Sequence, residues 1–482
     1  MDAQACAWRD GPHGREFSPS SNCITNIAFS ESWKGGRAPR QWTVMSIFPM
    51  QYLGTRRTSA FCVAATLMAP VVAHADIAAL PGDGLRVSGY GTLGVSSVHG
   101  ADPWRFRREI IQPAASGQSA ATDIDTRLGL QANWQLSQQW ELVGQVLFMR
   151  RASLAVPAES LAWGFASYTP TPQWTVRIGR TSPDLFLLAD YRNVGFAYPW
   201  ARPSVEFYGW RPISSVDGVD VTRSWEQGDA NWRAKAFAGR SRFTLAGANG
   251  DTPVDGKRIA GFTLSREEQG LTLKLSLARA VARPSDTGPL QTFRRALLSV
   301  TQLPVPSVAS EASALMALVP DNDFITRYGA LGASWDLGAW QLQAEVAKIS
   351  GNFSASRARY GYASVAYRLR NATLYTLVSA VRPNDAPTPV PAWQATLAPV
   401  VGPAVATLVQ QLGTQAAAQN NLTREDQQSV TFGTRLDLGT STALKLQWDA
   451  VRVRSNGSGL WFGGSAEPRK VNVYSVVLDV VF

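Results

Sequence analysis

From Leu85 onward the chain consists of runs of about ten residues in which apolar and polar side chains alternate, joined by links that are by turns short and long. The last run, KVNVYSVVLDVVF, shows the pattern most plainly. In steps of two, Tyr474, Val476, Leu478, Val480 and Phe482 share one face, while Val473, Ser475, Val477, Asp479 and Val481 share the other. A period of two is a strand. One face is uniformly apolar and aromatic and the other carries a Ser and an Asp, which suits lipid on one side and a wetter space on the other. A soluble sandwich could end in the same way, so other features must separate the two.

The links supply the first of these. Short ones fall at 137–139, 169–172, 226–229, 267–270, 336–339, 370–371 and 439–442. Long ones fall at 98–124, 152–158, 181–212, 240–257, 282–323, 351–358, 382–428 and 455–469. Their alternation predicts an all-β, antiparallel, up-and-down barrel of about 16 strands, each about as long as a tilted strand needs to cross a bilayer. Both ends of the barrel segment then lie on the short-link side. Aromatics supply the second feature. Trp134 and Trp140, Tyr168 and Trp174, Trp225 and Trp232, and Trp335 and Trp340 bracket four of the short links. Such rings prefer the headgroup layer, so a row of them at one height marks a membrane interface. No apolar run in the segment approaches the ~18 residues of a membrane helix.

Ahead of the strands lies TRRTSAFCVAATLMAPVVAHAD: a pair of arginines (Arg56, Arg57), an apolar stretch from Ala60 to Ala73, and Ala73-His74-Ala75 before Asp76. This is the layout of a secretory signal peptide with its small-residue cleavage site, and Met45 stands where such a peptide should start. We therefore expect residues 45–75 to be the signal peptide and 76–482 the mature barrel. Residues 1–44, rich in Gly, Pro, Ser and Arg without apolar periodicity, read as a misassigned start or a disordered extension. The mature chain holds 39 Lys and Arg against 32 Asp and Glu, a net charge of +7. Cys6, Cys23 and Cys62 all precede it, which removes disulfide and thiol chemistry.

A barrel of this size is wide enough for water, so its inward positions should be polar. Strand phases place Arg86, Arg127, Glu141, Gln145, Arg177, Arg233, Lys235, Lys274, Arg327, Glu345, Arg368, Arg435, Asp437, Lys445 and Asp449 there. Arg127, Arg233, Lys235, Lys274, Arg327, Arg368, Arg435 and Lys445 are the pore-wall cations of this set, and the lumen leans positive. The third long link, 181–212, carries eight aromatics together with Asp184, Asp190, Glu206, Arg192, Arg202 and Arg211. Leaving that much apolar area in water is unfavourable by ~25 cal/mol per Å², so the segment must be buried against something, the lumen wall or the rim. In two other links, at 290–318 and 391–418, apolar residues recur at helical spacing: Leu290, Phe293, Leu297 and Val300 in one, Leu397, Val401, Leu408 and Leu412 in the other. These helices either form a lid over the mouth or pack on each other outside the barrel, and packing is the expectation.

The signal peptide, the opening strand VSGYGTLGVSS, the strand WTVRIGR leading into the long third link, and the terminal Phe482 together resemble a Gram-negative outer-membrane porin of the 16-strand kind. The resemblance implies an integral outer-membrane location after export through the periplasm, with surrounding lipid as one partner. It also implies that Phe482 is part of the signal read by the barrel-assembly machinery. The third link would fold into the lumen and narrow it, making Arg177, Asp184, Asp190, Arg192, Arg202 and Glu206 the constriction. Trimeric relatives latch subunits through the second link; the shortness of 152–158 leaves a homotrimer an open expectation.

Other chemistry lacks its residues. After processing His99 is the sole histidine, so no zinc site, cofactor or histidine-based hydrolase is expected, and no enzyme. Basic residues alternate with apolar ones and form no patch for nucleic acid. The expectation is a passive diffusion channel for small hydrophilic solutes and ions, with a weak lean toward anions. The alternative is a structural or adhesive barrel with a blocked lumen whose loops bind partners. N-terminal sequencing of the membrane-extracted protein is expected to begin at Asp76; peptides recovered from residues 1–44 would overturn the processing scheme.

Overall fold

The computed structural model describes residues 84–482 apart from 118–119, 153–159, 211–212, 248–249, 285–287, 320–322 and 353–356. The expected extension and signal peptide lie outside the described residues. Sixteen strands occupy the chain in order. The first eight are β1 (Leu85–His99), β2 (Arg127–Gln135), β3 (Trp140–Met149), β4 (Leu161–Thr171), β5 (Trp174–Thr181), β6 (Val216–Gln227), β7 (Ala230–Leu245) and β8 (Thr252–Glu268). The rest are β9 (Leu271–Pro284), β10 (Phe324–Leu337), β11 (Trp340–Gly351), β12 (Ala358–Arg368), β13 (Ala372–Pro383), β14 (Glu425–Asp437), β15 (Thr442–Ser458) and β16 (Arg469–Val481). Each pairs antiparallel with its sequence neighbour, and β1 pairs with β16 to close the sheet into a barrel.

Closure runs from Tyr90 opposite Val481 to His99 opposite Asn472. Phe482 extends it by one exchange: Gly89 N–H donates to the Phe482 carbonyl at 2.7 Å, and Phe482 N–H to the Gly89 carbonyl at 3.0 Å. The edge atoms of the Phe482 ring stand where a Cβ on Gly89 would be, so any side chain there would overlap it. This is why β1 carries a glycine at that point.

The outward face is apolar around the circumference. Leu93, Leu128, Ile178, Val219, Leu277, Leu331, Val346, Leu374, Val430 and Val476 are all exposed on it. The short-link aromatics form contacting pairs across neighbouring strands. Trp140 stacks on Tyr168 and Trp340 tilts against Tyr367, both at 4.6 Å between centroids, and Trp225 stacks on Trp232 at 6.0 Å. The guanidinium of Arg223 sits over both Trp174 and Trp225, which keeps a cation level with these aromatic rings.

Register corrects two expectations. The fourth long link is only 246–251, because β7 and β8 continue past register shifts at Gly239/Ser241 and Gly256/Arg258; each shift inserts a residue and resets the alternation that marked 240–257 as a link. Arg327 belongs to the outer face. It stands opposite Arg279 and Ser350, in the same phase as the exposed Leu331 and Val346, because β10 turns its even-numbered residues inward. The same bookkeeping adds Asp220, Asp336, Glu425 and Asp479 to the inward set, so the wall is closer to neutral than the sequence phases indicate.

The two helix-bearing links contain α-helices Gly288–Thr301, Pro306–Leu318, Trp393–Val401 and Pro403–Leu422. They pack on one another as expected. Leu297, Val308, Ala312, Trp393, Leu397, Ala406 and Ala417 form a core separate from that of the barrel. Replacing Gly89 by Leu should displace the Phe482 ring and loosen the β1–β16 seam by about 1–3 kcal/mol, as overpacking does. A drop in the temperature at which the folded band is lost in heated electrophoresis would report it.

Candidate functional site

The lumen is where the inward polar residues converge, and the third long link enters it. Between β5 and β6 the chain crosses the interior, makes a short 3₁₀ turn at Gly195–Ala197 and a one-turn helix, α1 (Val205–Tyr208), capped by Ser204. Phe186, Tyr198, Trp200, Phe207 and Tyr208 are buried against the wall. The apolar content of the link therefore has its physical outlet inside the barrel.

Loop backbone inside a barrel needs hydrogen-bond partners, since few of its carbonyls reach water. The wall cations provide them. Lys445 Nζ donates to the carbonyls of Gly195, Tyr198 and Trp200 at 2.6, 2.7 and 2.9 Å, and ion-pairs with Asp479 at 2.9 Å. Arg435 reaches the Phe196 carbonyl at 2.5 Å, and Arg127 reaches that of Asn193 at 2.6 Å. Gly195 is required by this approach: a Cβ there would overlap the Asp479 carboxylate. Side chains complete the docking, with Trp200 Nε1 donating to Ser364 at 2.8 Å and Leu187 N–H to Glu345 at 3.0 Å.

Two of the expected constriction residues prove to be anchors. Arg202 is 2% exposed. It donates to Asp125 at 2.6 Å, to Asp449 at 2.9 Å and to Ser96 at 2.8 Å. Burial would lower its pKa, but the two carboxylates outweigh burial and raise it; Asp125 is held below its ordinary 3.8 by the same pairing in spite of its own burial. Glu206, equally buried, accepts from Ser379, Gln427 and Ser429 at 2.5, 2.8 and 3.1 Å. Both charges therefore lie behind the segment, away from any water path. Arg127 and Lys445, expected as water-facing wall, are likewise buried and occupied with the link.

The remaining candidates lie on the other side of the link. Arg177 meets Asp220 through two nitrogens, its Nη2 at 2.8 Å, and Lys235 approaches the same carboxylate at 3.8 Å. Asp184 pairs with Lys274, whose ammonium also donates to the Phe186 carbonyl at 2.9 Å. Asp190 and Arg192 flank a small cavity with Gln145 and Arg151. Arg233 shares the inward phase of Lys235, and Arg368 pairs with Asp336 at 2.6 Å near a short link. The link thus divides the lumen unequally. From β12 round to β2 the wall is covered by buried contacts; on the remaining side Asp184, Asp220 and Lys235 are buried too, whereas Arg177 and Arg192 are half-buried and Asp190 and Arg233 exposed.

Sequence reasoning missed two further inward segments. Trp104, Phe106 and Ile110 of the first long link are buried in the same core as the third link, together with Leu460 and Trp461 of the last. Arg107 ties the two by donating to the carbonyls of Leu460, Gly459, Ile110 and Ala246, and burial pulls its pKa down to about 10. The signal was available in the apolar spacing of WRFRREII. Among the described residues no group of three or more His, Cys, Asp or Glu is placed to hold a metal ion.

No family model matches the chain, and no curated protein matches it. Among solved structures it is similar to Salmonella typhi OmpF in complex with daunomycin, at 11% identity and a TM-score of 0.48, covering 83% of this chain and 98% of that one. It is similar also to the outer membrane channel DcaP of Acinetobacter baumannii and to an anion-selective porin from Comamonas acidovorans. Each of these is 12% identical with a TM-score of 0.45, over 83% of this chain and 97% and 99% of theirs. The barrel assignment rests on the chain's own strand pairing.

Arg202→Ala leaves Asp125 and Asp449 buried without their partner and should cost about 3–5 kcal/mol, read as faster proteolysis of the third link in intact barrels. The Asp125 pKa is depressed by folding, so its contribution is complete above its ordinary 3.8 and fades as pH falls through the lower folded value. Protease resistance of the link should accordingly hold from pH 8 down to about pH 4 and decline only in stronger acid.

Proposed function

We propose that this chain is a passive outer-membrane channel for small hydrophilic solutes and ions. The observation that carries the reading is a closed barrel, apolar outside and ionic inside, whose third outer link lies across the lumen. An outer face of exposed Leu, Val, Ile and paired aromatics needs lipid, and an inner face of charged residues needs water or partners. The constriction is formed by Arg177, Arg192, Lys274 and Asp190, backed by the buried charges of Lys235, Asp184 and Asp220, on the side of the lumen away from the packed wall. Opposed charges at a narrow point act across the path of a solute, where low-dielectric walls strengthen the field. Cations are in slight excess in this group, which supports a small preference for anions. Phe482, locked over Gly89 at the seam, also serves as the assembly signal.

A second reading is favoured by the filled side of the lumen and by the helical cap with its own core: a barrel that carries no current and presents its cap to a partner. Planar-bilayer recordings separate the two. The purified protein should conduct ions, with a reversal potential in a salt gradient displaced slightly toward the anion. Deleting Leu187–Pro203 should raise single-channel conductance and weaken that displacement, because obstruction and charges leave together. Silence of the correctly inserted wild-type protein would favour the cap-presenting barrel.

A further inference from the structure

Along β7, β8 and β9 the inward face changes character halfway. Toward the short links it is polar, with Lys235, Thr263, Ser276 and Lys274. Toward the long links it becomes Phe243, Val254, Ile259 and the alanines at 278, 280 and 282. The opposite wall of this outer half is also apolar, supplied by Leu185 and Phe186 of the third link and Trp461 of the last. These surfaces enclose a cavity of about 520 Å³, a size typical of small-molecule sites.

Such a lining is not what a purely water-filled lumen selects. Inward positions in contact with water are ordinarily polar, and each apolar Å² left wet is unfavourable by ~25 cal/mol. Among the described residues the charged groups on its lining are two. Arg107 donates to four backbone carbonyls, and Glu425 is buried with one side-chain oxygen lacking a hydrogen-bond partner. The cavity therefore offers a solute mainly apolar contact, with Glu425 as its one acidic group.

We propose that this outer chamber is a binding site for a small uncharged aromatic or compact apolar molecule, held above the ion-paired constriction. The site is a property of the same lumen but does not require that ions pass through it.

The probe is 4-bromophenol at a pH where it is neutral, tested by equilibrium dialysis against the full barrel in lipid nanodiscs, with empty nanodiscs subtracted. The expected result is saturable binding of one equivalent. Ala280→Arg, which places a charged side chain in the chamber, should weaken binding at least tenfold, and Ile259→Thr, a milder change, should weaken it severalfold; heat-resistant electrophoretic mobility verifies that both variants fold. Wild-type binding no greater than that of empty nanodiscs would overturn the proposal, as would equal binding by both folded variants. A bromine anomalous peak among Phe186, Phe243 and Ala280 would place the probe directly, and a peak on the lipid-facing wall alone would refute the site. Because binding is read without current, a silent channel that binds the probe would sink the conduction reading and leave this one standing.

Discussion

Backbone amides in hydrocarbon have no water to bond with, and each one left unpaired is unfavourable by several kcal/mol. Everything else in this structure depends on the sheet having no edge. The β1–β16 ladder, carried to the last residue by the Gly89–Phe482 exchange, removes the edge. Once the ring is closed, strand tilt and number fix a lumen too wide for wall side chains alone to fill. The chain then supplies filling from its own outer links.

The filling obeys the rule that governs the wall. A link threaded through a barrel brings carbonyls that must be satisfied, and Lys445, Arg435 and Arg127 satisfy them from inward strand positions. Many charges that sequence phase places in the lumen are thus structural donors whose partners come from a segment distant in sequence. The net effect is one-sided: the link packs against the wall from β12 round to β2.

Strand number, link alternation and the aromatic pairs were legible because each follows from local periodicity; the cost of exposed apolar area required the third link to be buried, against the lumen wall or the rim, and only the resemblance pointed it inward. What was not legible depends on pairing. Arg327 changed face because its charge was read as inward, although Leu331, Trp335 and Leu337 share its parity and Thr326, Ser334 and Asp336 occupy the other. Arg202 and Glu206 look like pore charges in sequence; only the approach of Asp125, Asp449, Ser379 and Gln427 from four separate segments makes them anchors. The inward folding of the first link was hidden by its arginines, which a composition reading takes for solvent-facing groups.

The helical cap has a different implication. Its four helices share a core that owes little to the barrel, and they hang from the ends of β9, β10, β13 and β14, whose spacing is fixed by sheet register. Sequence drift in the cap is therefore confined mechanically. Replacing residues on its outer surface, such as the exposed Leu298, Val400 and Leu408, leaves the strand pairing untouched, much as a mounted head is exchanged without rebuilding its stand. The cap core and the barrel wall thus answer to separate packing demands.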